Sequence, residues 1–285
     1  MYLKDITLVC FDTRNVEAAI ESMSYSLKKV KFQHSVLFTS NSLCTNEILL
    51  KAQKLDIKLE MISEIRSISE YSYFILANLS HYIKTKYCLV TQWDSWIIEV
   101  NSWDPKFLNY DYIGALWPHY KENQVGNGGF SLRSKQLLES TRKLIEENPD
   151  YHMPLIEDDY ICREKRSDLE KIFKIKFASP SIANKFSIEG NSPPINCFGF
   201  HSMNNFNFAI QDNSELIHFL NKLSNYHFSN RASYDLAKNL IKEKRLDVAK
   251  IIIRRRFISN GFSKKHFKLL FFLTIKVCHI KLLRK

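Results

Sequence analysis

The apolar residues of the first hundred positions follow two alternating patterns. Residues 6–12 ("ITLVCFD") form a short, nearly unbroken apolar run typical of a buried strand, whereas residues 15–30 ("NVEAAIESMSYSLKKV") repeat apolar side chains at helical spacing. The same patterns predict, in order, a strand at 34–40, a helix at 45–55, a strand at 57–62, a helix at 70–83 and a strand at 87–94. Strands that alternate with helices at this spacing predict βαβ units and a mainly parallel sheet.

Proline and glycine separate this first part from the rest of the chain. All seven prolines and six of the seven glycines lie between Pro105 and Gly199. Residues 101–200 are therefore predicted to be loop-rich with short strands, where a site could be assembled. After residue 206 the pattern predicts a helical hairpin over 232–257 that turns near 244–247, and then a last basic, apolar helix.

Composition and charge narrow the class of protein. Hydrophobic residues make up 45% and aromatic residues 13% of the 285, which favours a folded protein over a disordered one. Six singly placed cysteines without a CxxC pair favour reduced thiols in the cytoplasm, and "MYLKDITLVCFDT" predicts a first strand rather than a signal peptide. No apolar run reaches the ~18 residues of a membrane-spanning helix.

The net charge of +11 belongs to the C-terminal part. From Arg231 onward there are 16 Lys and Arg residues against three acids, so the first 230 residues are nearly neutral. A nucleic-acid-binding core would need a basic face of its own, and no such bias is visible there. We therefore expect no nucleic acid partner for the first part of the chain.

Three groups of polar residues could carry chemistry. Asp94 comes at the end of the strand "VTQWD", where Val90, Gln92 and Asp94 would share one face. From this position the Asp94 carboxylate could reach a metal ion that is bound to a diphosphate. The alternative is that Asp94 starts a turn. "EDDY" supplies a candidate general base whose pKa its acidic neighbours would raise, or simply the acidic start of a helix. His201 could be a metal ligand if an oxygen ligand lies beside it, or it could be structural.

The segment "VGNGGFSLRS" concentrates three glycines, Gly126, Gly128 and Gly129. It fits neither common phosphate-binding loop, because both GxxxxGK[ST] and a strand-terminal GxGxxG are missing. The glycines predict a tight turn that brings bare backbone to a ligand, followed by the short strand "FSLRS".

The motifs occur in an order that resembles the GT-A class of nucleotide-sugar glycosyltransferases. That order is "QWD", "YDYIGALW", "GNGGFSLRS", "EDDY" and "FGFH". It is most similar to an uncharacterised bacterial glycosyltransferase-like family, catalogued as a domain of unknown function, with Q-x-D, D-Y-I-G-A-x-W and G-N-G-G-F-S-L-R patterns. The resemblance covers about residues 5–205. It implies a GT-A-like catalytic domain at 1–205 and a helical basic region at 206–285.

The resemblance also implies roles for individual residues. "QWD" stands where these enzymes carry D-x-D, so Gln92 replaces the first acid and Asp94 would bind Mn²⁺ or Mg²⁺ together with His201. Asp158, beside Glu157, would be the catalytic base of an inverting enzyme. The resemblance also implies that Thr13 and Arg14 contact the nucleotide. Gly128, Gly129 and Phe130 would contact the transferred sugar, and the sugar ring would pack where side chains would otherwise stand. Trp117 would contact the acceptor, unless it is a core residue.

The expected function is therefore transfer of a sugar from a nucleotide sugar to a hydroxyl of a glycan or glycolipid, in bacterial surface polysaccharide or lipooligosaccharide synthesis. Residues 250–285 hold eleven Lys and Arg and no acid among many apolar residues, which predicts binding to an anionic membrane surface at the inner face of the cytoplasmic membrane. The alternative for this segment is a helix packed on the catalytic domain. Alternatives of the same class are a retaining transferase and a nucleotidyltransferase, although "FDTRNVE" lacks the basic glycine-rich loop that the latter normally carries after its first strand. The alternative from another class is a non-catalytic sugar- or nucleic-acid-binding protein that acts through its basic tail.

Overall fold

The computed structural model describes residues 1–147, 156–190, 196–261 and 263–282. The chain falls into two compact units. The first runs from Met1 to Glu189 and takes in the strand that ends at His201, and the second runs from Ser202 to Lys285.

Nine strands occur in the described residues, all of them in the first unit. They are β1 (Tyr2–Phe11), β2 (Lys31–Thr39), β3 (Lys58–Met61), β4 (Tyr87–Thr91), β5 (Ser95–Ile97), β6 (Tyr112–Leu116), β7 (Val125–Ser134), β8 (Ser187–Ile188) and β9 (Gly199–His201).

The α-helices of the first unit connect and cover these strands. They are α1 (Val16–Leu27), α2 (Asn46–Lys54), α3 (Ile68–Tyr73), α4 (Leu79–Tyr82), α5 (Lys135–Glu146), α6 (Glu157–Asp159), α7 (Arg166–Lys171) and α8 (Pro180–Phe186). Two π-helical turns, Phe74–Asn78 and Tyr160–Glu164, continue α3 and α6.

The main sheet has six strands in the order β3-β2-β1-β4-β7-β6. The pairs β1–β2, β2–β3 and β1–β4 are parallel, whereas β7 runs antiparallel to both of its neighbours. The predicted α/β class with a mainly parallel sheet is therefore confirmed. A small second sheet, β5-β9-β8, begins directly beyond the end of β4.

Both faces of the main sheet are covered, so its central strands are buried on both sides. Val9 packs with Ile75 and Leu79 in one hydrophobic cluster, while Leu8 packs with Ile20 in the other. Parallel strands buried on both faces read as continuous apolar runs, which is why "ITLVCF" is recognisable in the sequence. The sheet therefore provides a rigid base for the loops at its carboxyl edge.

The second unit is helical throughout its described residues. Its α-helices are α9 (Phe206–Ala209), α10 (Asn213–Lys222), α11 (Arg231–Lys242), α12 (Leu246–Asn260) and α13 (Lys264–Leu282). The side chain of Asn230 caps α11 by accepting a hydrogen bond from Ser233 N. Lys244, with a φ of 64°, makes the left-handed turn between α11 and α12, so the predicted hairpin is confirmed.

Two predictions about local structure are wrong. The predicted strand 87–94 ends at Thr91, since Gln92 leaves the ladder and a turn leads into β5. The glycines of "VGNGG" do not form a turn, because Val125–Ser134 is one continuous ten-residue strand and none of these glycines has a positive φ. In the described part of the chain, no helix combines the length and apolar composition that crossing a bilayer requires.

Candidate active site

The turn between β4 and β5 places Asp94 at the carboxyl edge of the main sheet. Gln92 N donates to Ser95 Oγ at 2.8 Å, and Ser95 Oγ in turn donates to Gly129 O at 2.7 Å, so the turn is tied to β7. The expectation that Val90, Gln92 and Asp94 share a strand face is wrong, because the strand ends before Gln92. The turn instead positions Asp94 by backbone geometry.

Asp94 lies in a small cluster of charged side chains around His201, the last residue of β9. The His201 Nε2 atom is 3.5 Å from Asp94 Oδ1, and its Nδ1 atom is 3.5 Å from Glu189 Oε1. Gln92 Oε1 is 3.2 Å from the same Nε2 atom. Burial lowers the pKa of His201, but Asp94 and Glu189 outweigh burial and raise it to about 10. Without a metal ion the ring is therefore protonated and paired with Asp94 and Glu189, and a cation that binds His201 would have to displace this proton.

Asp94 and His201 could provide two ligands to a divalent cation, and a bound substrate would complete its coordination. Asp94 Oδ1 is buried, and its partner among the described residues is the His201 ring at the ion-pair distance of 3.5 Å rather than a hydrogen-bond donor. Glu189, on the Nδ1 side of His201, stands where carboxylates orient metal-binding histidines. Across the described ranges, no three or more His, Cys, Asp or Glu side chains form a metal-binding group. Any cation held by Asp94 and His201 would therefore take its other oxygen ligands from elsewhere, as a diphosphate would provide.

Asp158 lies in α6 and contacts the backbone of β7. Its Oδ2 atom accepts a hydrogen bond of 3.1 Å from Gly128 N. Burial, and then repulsion from Glu157, raise the pKa of Asp158 to about 7. Repulsion from an acidic neighbour was predicted as the cause, but burial contributes more. A carboxylate with this pKa is suited to accept a proton at neutral pH.

Glu157 is held in a buried ion pair that the sequence analysis missed. Arg133 of β7 is fully buried and binds Glu157 through two hydrogen bonds of 2.8 and 2.9 Å. Arg133 Nε also donates to Ser131 Oγ at 2.9 Å, and Glu157 N donates to Ser72 Oγ at 3.0 Å. This bidentate pair fixes the start of α6 on β7. Glu157 therefore contacts Arg133 rather than an open surface, and in this position it holds Asp158 in place.

The glycines of β7 make room for side chains of the protein itself. A Cβ on Gly128 would collide with the Glu157 carboxylate and lie 2.8 Å from Arg133 Nη2. A Cβ on Gly129 would collide with the His201 ring. The space that we predicted for a sugar ring is therefore filled at these two positions by the protein's own charged side chains. Because successive residues of a strand face opposite ways, the two glycines bring the Glu157 side and the His201 side onto one short segment of backbone.

Two of the expected ligand contacts lie in the hydrophobic core. Phe130 is fully buried, and its ring fills the place where a Cβ on Gly199 would stand. Trp117 is 8% exposed, with its ring against Gly126. For Trp117 the structure favours the core alternative. Phe130 packs with Phe186 and Phe198, so its contribution is to the packing under the site.

Thr13 and Arg14 follow β1 at the same edge of the sheet but contact another loop. Thr13 Oγ1 accepts a 3.0 Å hydrogen bond from Ile65 N, and Arg14 Nη2 donates to Arg66 O at 2.6 Å. Arg14 is exposed, whereas Thr13 is buried. In this structure both side chains hold the loop that precedes α3.

Gln92 links His201 to Tyr71, whose hydroxyl feels the charges of the Glu157–Arg133 pair. Gln92 is next to His201 through its Oε1 atom, and its Nε2 atom donates to Tyr71 OH at 3.3 Å. Glu157 and Arg133 both affect the pKa of Tyr71, which burial raises well above its usual range. The cluster around His201 and the potential base Asp158 thus flank Gly128 and Gly129. This arrangement can bind a cation on one side and accept a proton on the other.

Solved structures with a similar chain path include several glycosyltransferases. A glycosyltransferase involved in the glycosylation of the major capsid of PBCV-1 aligns with a TM-score of 0.42 at 13% identity, over 69% of this chain and 91% of that one. The glycosyltransferase GlyE of Streptococcus pneumoniae TIGR4 aligns with a TM-score of 0.40 at 15% identity, over 62% of this chain and 45% of that one. The mannosyltransferase PcManGT of Pyrobaculum calidifontis, solved with GDP-Man and Mn²⁺, aligns with a TM-score of 0.38 at 12% identity, over 97% and 81% of the two chains.

No curated protein sequence matches this chain significantly. One family model does match, over residues 55–201, and its description is "Protein of unknown function (DUF5672)". The matched segment contains β3 to β9 and, with them, Asp94, Asp158 and His201. Because it spans more than half of the 285 residues, this chain belongs to the DUF5672 family.

Proposed function

We propose that this protein is an inverting glycosyltransferase that moves a sugar from a nucleotide-sugar donor to a hydroxyl group of a glycan or glycolipid. The observation that carries the proposal is the position of Asp158. Its carboxylate has a pKa of about 7 and accepts a hydrogen bond from Gly128 N. The His201 ring packs against the next residue of the strand, Gly129. A general base and a cation-binding group that stabilises the departing diphosphate are the two functions that a direct displacement at a sugar carbon requires.

In the proposed reaction the acceptor hydroxyl attacks the anomeric carbon of the donor sugar. Asp158 takes the hydroxyl proton as the new carbon–oxygen bond forms. The bond from the anomeric carbon to the nucleoside diphosphate breaks, and the diphosphate oxygen keeps the electron pair. Attack opposite the leaving group inverts the configuration of that carbon. Arg133 supports the step by holding Glu157, and through it α6 and Asp158.

Asp94 and His201 are the residues that would hold Mn²⁺ or Mg²⁺. The cation would supply positive charge against the negative charge of the departing diphosphate. Gln92 lies beside His201 Nε2 and would face the same diphosphate. Gly128 and Gly129 would act on the donor sugar through the groups packed on them, Asp158 and His201. Thr13 and Arg14 would meet the nucleotide once their loop contacts give way.

The acceptor and the pathway are part of the same proposal. We assign the protein to the synthesis of a bacterial surface polysaccharide or lipooligosaccharide. A lipid-linked acceptor would place the enzyme at the inner face of the cytoplasmic membrane. Because Trp117 is buried against Gly126, it would influence acceptor binding only indirectly, by supporting β7 from the core side.

The experiment is a screen of the purified chain against a panel of nucleotide sugars, with and without Mn²⁺, in which released nucleoside diphosphate is measured. Water then replaces the acceptor, so slow hydrolysis of one donor is expected. Asp158→Asn should lower the rate roughly 10²–10⁴-fold, because a positioned base contributes that much. Donor binding, measured by calorimetry, should remain.

Asp159→Asn is the matched control, since it removes a neighbouring carboxylate of α6 that does not contact Gly128. It should leave the rate within a few-fold of the unmodified chain. Binding of a sugar without turnover would favour the non-catalytic alternative. If Asp158→Asn keeps more than about a tenth of the rate, the base is another residue.

A further inference from the structure

Helix α13 presents an apolar stripe to solvent. Phe267, Phe271 and Ile275 are 59%, 64% and 51% exposed. They are spaced four residues apart, so they lie on one face of the helix. A run of three large apolar side chains that are each more than half exposed is unusual for a helix packed in a helical unit.

The opposite side of α13 is the side that packs. Leu269 is fully buried and His266 is 6% exposed, and the His266 ring lies 5.3 Å from the ring of Phe257 on α12. The side of α13 that carries His266 and Leu269 is therefore the side that packs in the helical unit. Phe271 and Ile275 remain 64% and 51% exposed after α13 has packed on this side.

Two lysines lie on the exposed face with the apolar stripe. At 3.6 residues per turn, Lys264 falls between Phe271 and Ile275 around the helix, and Lys268 lies about 20° beyond Ile275. Both lysine side chains are exposed. Residues 250–285 contain no acid, so no carboxylate of this segment can neutralise them. We call these five residues the α13 face.

We propose that the α13 face docks on an anionic lipid surface. Large apolar side chains among lysines are the composition of helices that lie in the plane of a membrane interface, with rings among the acyl chains and ammonium groups at the headgroups. The inference deepens the location given with the proposed function, and binding to lipid can be measured without any catalysis. Because none of the helices in the described residues can cross a bilayer, the attachment would be peripheral.

A second copy of the chain is a poorer occupant of this face. A symmetric pair would bury the lysines of both copies, and residues 250–285 of the second copy contain no carboxylate side chain to pair with them. An anionic bilayer instead offers the opposite charge and an apolar layer beneath it. Charge complementarity therefore favours the lipid surface.

The test is co-sedimentation of the full chain with vesicles of phosphatidylcholine alone or mixed with phosphatidylglycerol. The unmodified chain should bind the mixed vesicles and bind neutral vesicles far more weakly. Lys264→Gln with Lys268→Gln should lower the partition coefficient by roughly 25-fold, about five-fold for each lysine. Phe267→Ser with Phe271→Ser should lower it by at least about ten-fold at unchanged charge.

Matched controls come from the first unit. Ile172→Ser removes an apolar side chain that is 66% exposed, and Lys4→Gln with Lys54→Gln removes two exposed lysines. These variants should bind like the unmodified chain. All substituted residues are exposed, so unchanged thermal unfolding is expected and confirms that the helix still forms.

Three results would overturn the proposal. The first is equal binding by the α13-face variants and the controls. The second is a concentration-dependent dimer that the phenylalanine variant abolishes while vesicle binding is absent. The third is salt-sensitive binding to RNA or DNA that depends on the lysines but not on the phenylalanines, together with no binding to vesicles. A chain that binds vesicles but hydrolyses no nucleotide sugar would retain this proposal and reject the proposed function.

Discussion

Replacing Asp158 by asparagine should stabilise the protein while it removes activity. The amide would keep the shape of the side chain, and its oxygen could still accept the hydrogen bond from Gly128 N. It would lack the negative charge that burial and Glu157 disfavour in the folded state. A base that is costly to ionise in the fold reduces stability, so its removal should restore part of that stability.

The magnitude follows from the two pKa values of Asp158. An aspartate in the unfolded chain titrates near a pKa of about 3.9, and in the fold the pKa of Asp158 is about 7. Below about pH 4 the side chain is protonated in both states, so the two proteins should be equally stable. As the pH rises from about 4 to 7, only the unfolded chain loses the proton, and the unmodified protein loses stability relative to the variant. At about 1.4 kcal/mol for each pH unit, and with a discount for the partly exposed side chain, the difference should reach about 2–4 kcal/mol above pH 7.

Urea unfolding of the two proteins at several pH values between about 4 and 8 measures this difference. The curves should coincide at the acid end, separate between the two pKa values and run parallel above pH 7. Donor hydrolysis by the unmodified chain should rise over the same range, reach half its plateau near pH 7 and fall about ten-fold at about pH 6. Equal stability of the two proteins at every pH would refute the reasoning, because it would show that Asp158 ionises in the fold without cost. Asp159→Asn serves as the control for removal of a charge from α6.

Three further predictions concern the groups around β7. Arg133→Met should lower the free energy of unfolding by about 3–5 kcal/mol, since it leaves the Glu157 carboxylate buried without its partner; a loss below about 1 kcal/mol in urea unfolding would contradict this. Gly129→Val should reduce turnover at least about ten-fold by displacing the His201 ring, and normal turnover with normal thermal stability would show that the contact is unnecessary. Asp94→Ala should abolish, and His201→Ala should weaken, the Mn²⁺-dependent binding of nucleoside diphosphate in calorimetry, whereas unchanged affinity in both would assign the pair a structural role.

The sequence predicts the first hundred residues well because their information is local. No proline or glycine interrupts β1 to β4, and both periodicities are clear there. The position of Asp94 beyond a strand also follows from local pattern. The helix α5 was not predicted, although its sequence carries the signal: Ser134 caps it by accepting a hydrogen bond from Leu137 N, and its buried residues recur at helical spacing, namely Leu137, Leu138, Thr141, Leu144 and Ile145.

The wrong prediction for the glycine segment has a physical cause. Glycine indicates either an unusual φ or a close approach, and sequence alone cannot distinguish them. Here the close approach comes from Glu157 and His201, which are distant from β7 in sequence but adjacent to it in space. The partnership of Arg133 with Glu157 was missed for the same reason, since it joins residues that no periodicity connects.

The two adjacent glycines of β7 have a consequence for attempts to redesign this protein. Positions 128 and 129 are already occupied, on opposite sides, by Glu157 and by His201. New side chains grown from these positions would dislodge existing charged groups instead of reshaping the space for a sugar. Libraries that aim to change this part of the protein should therefore keep both glycines fixed.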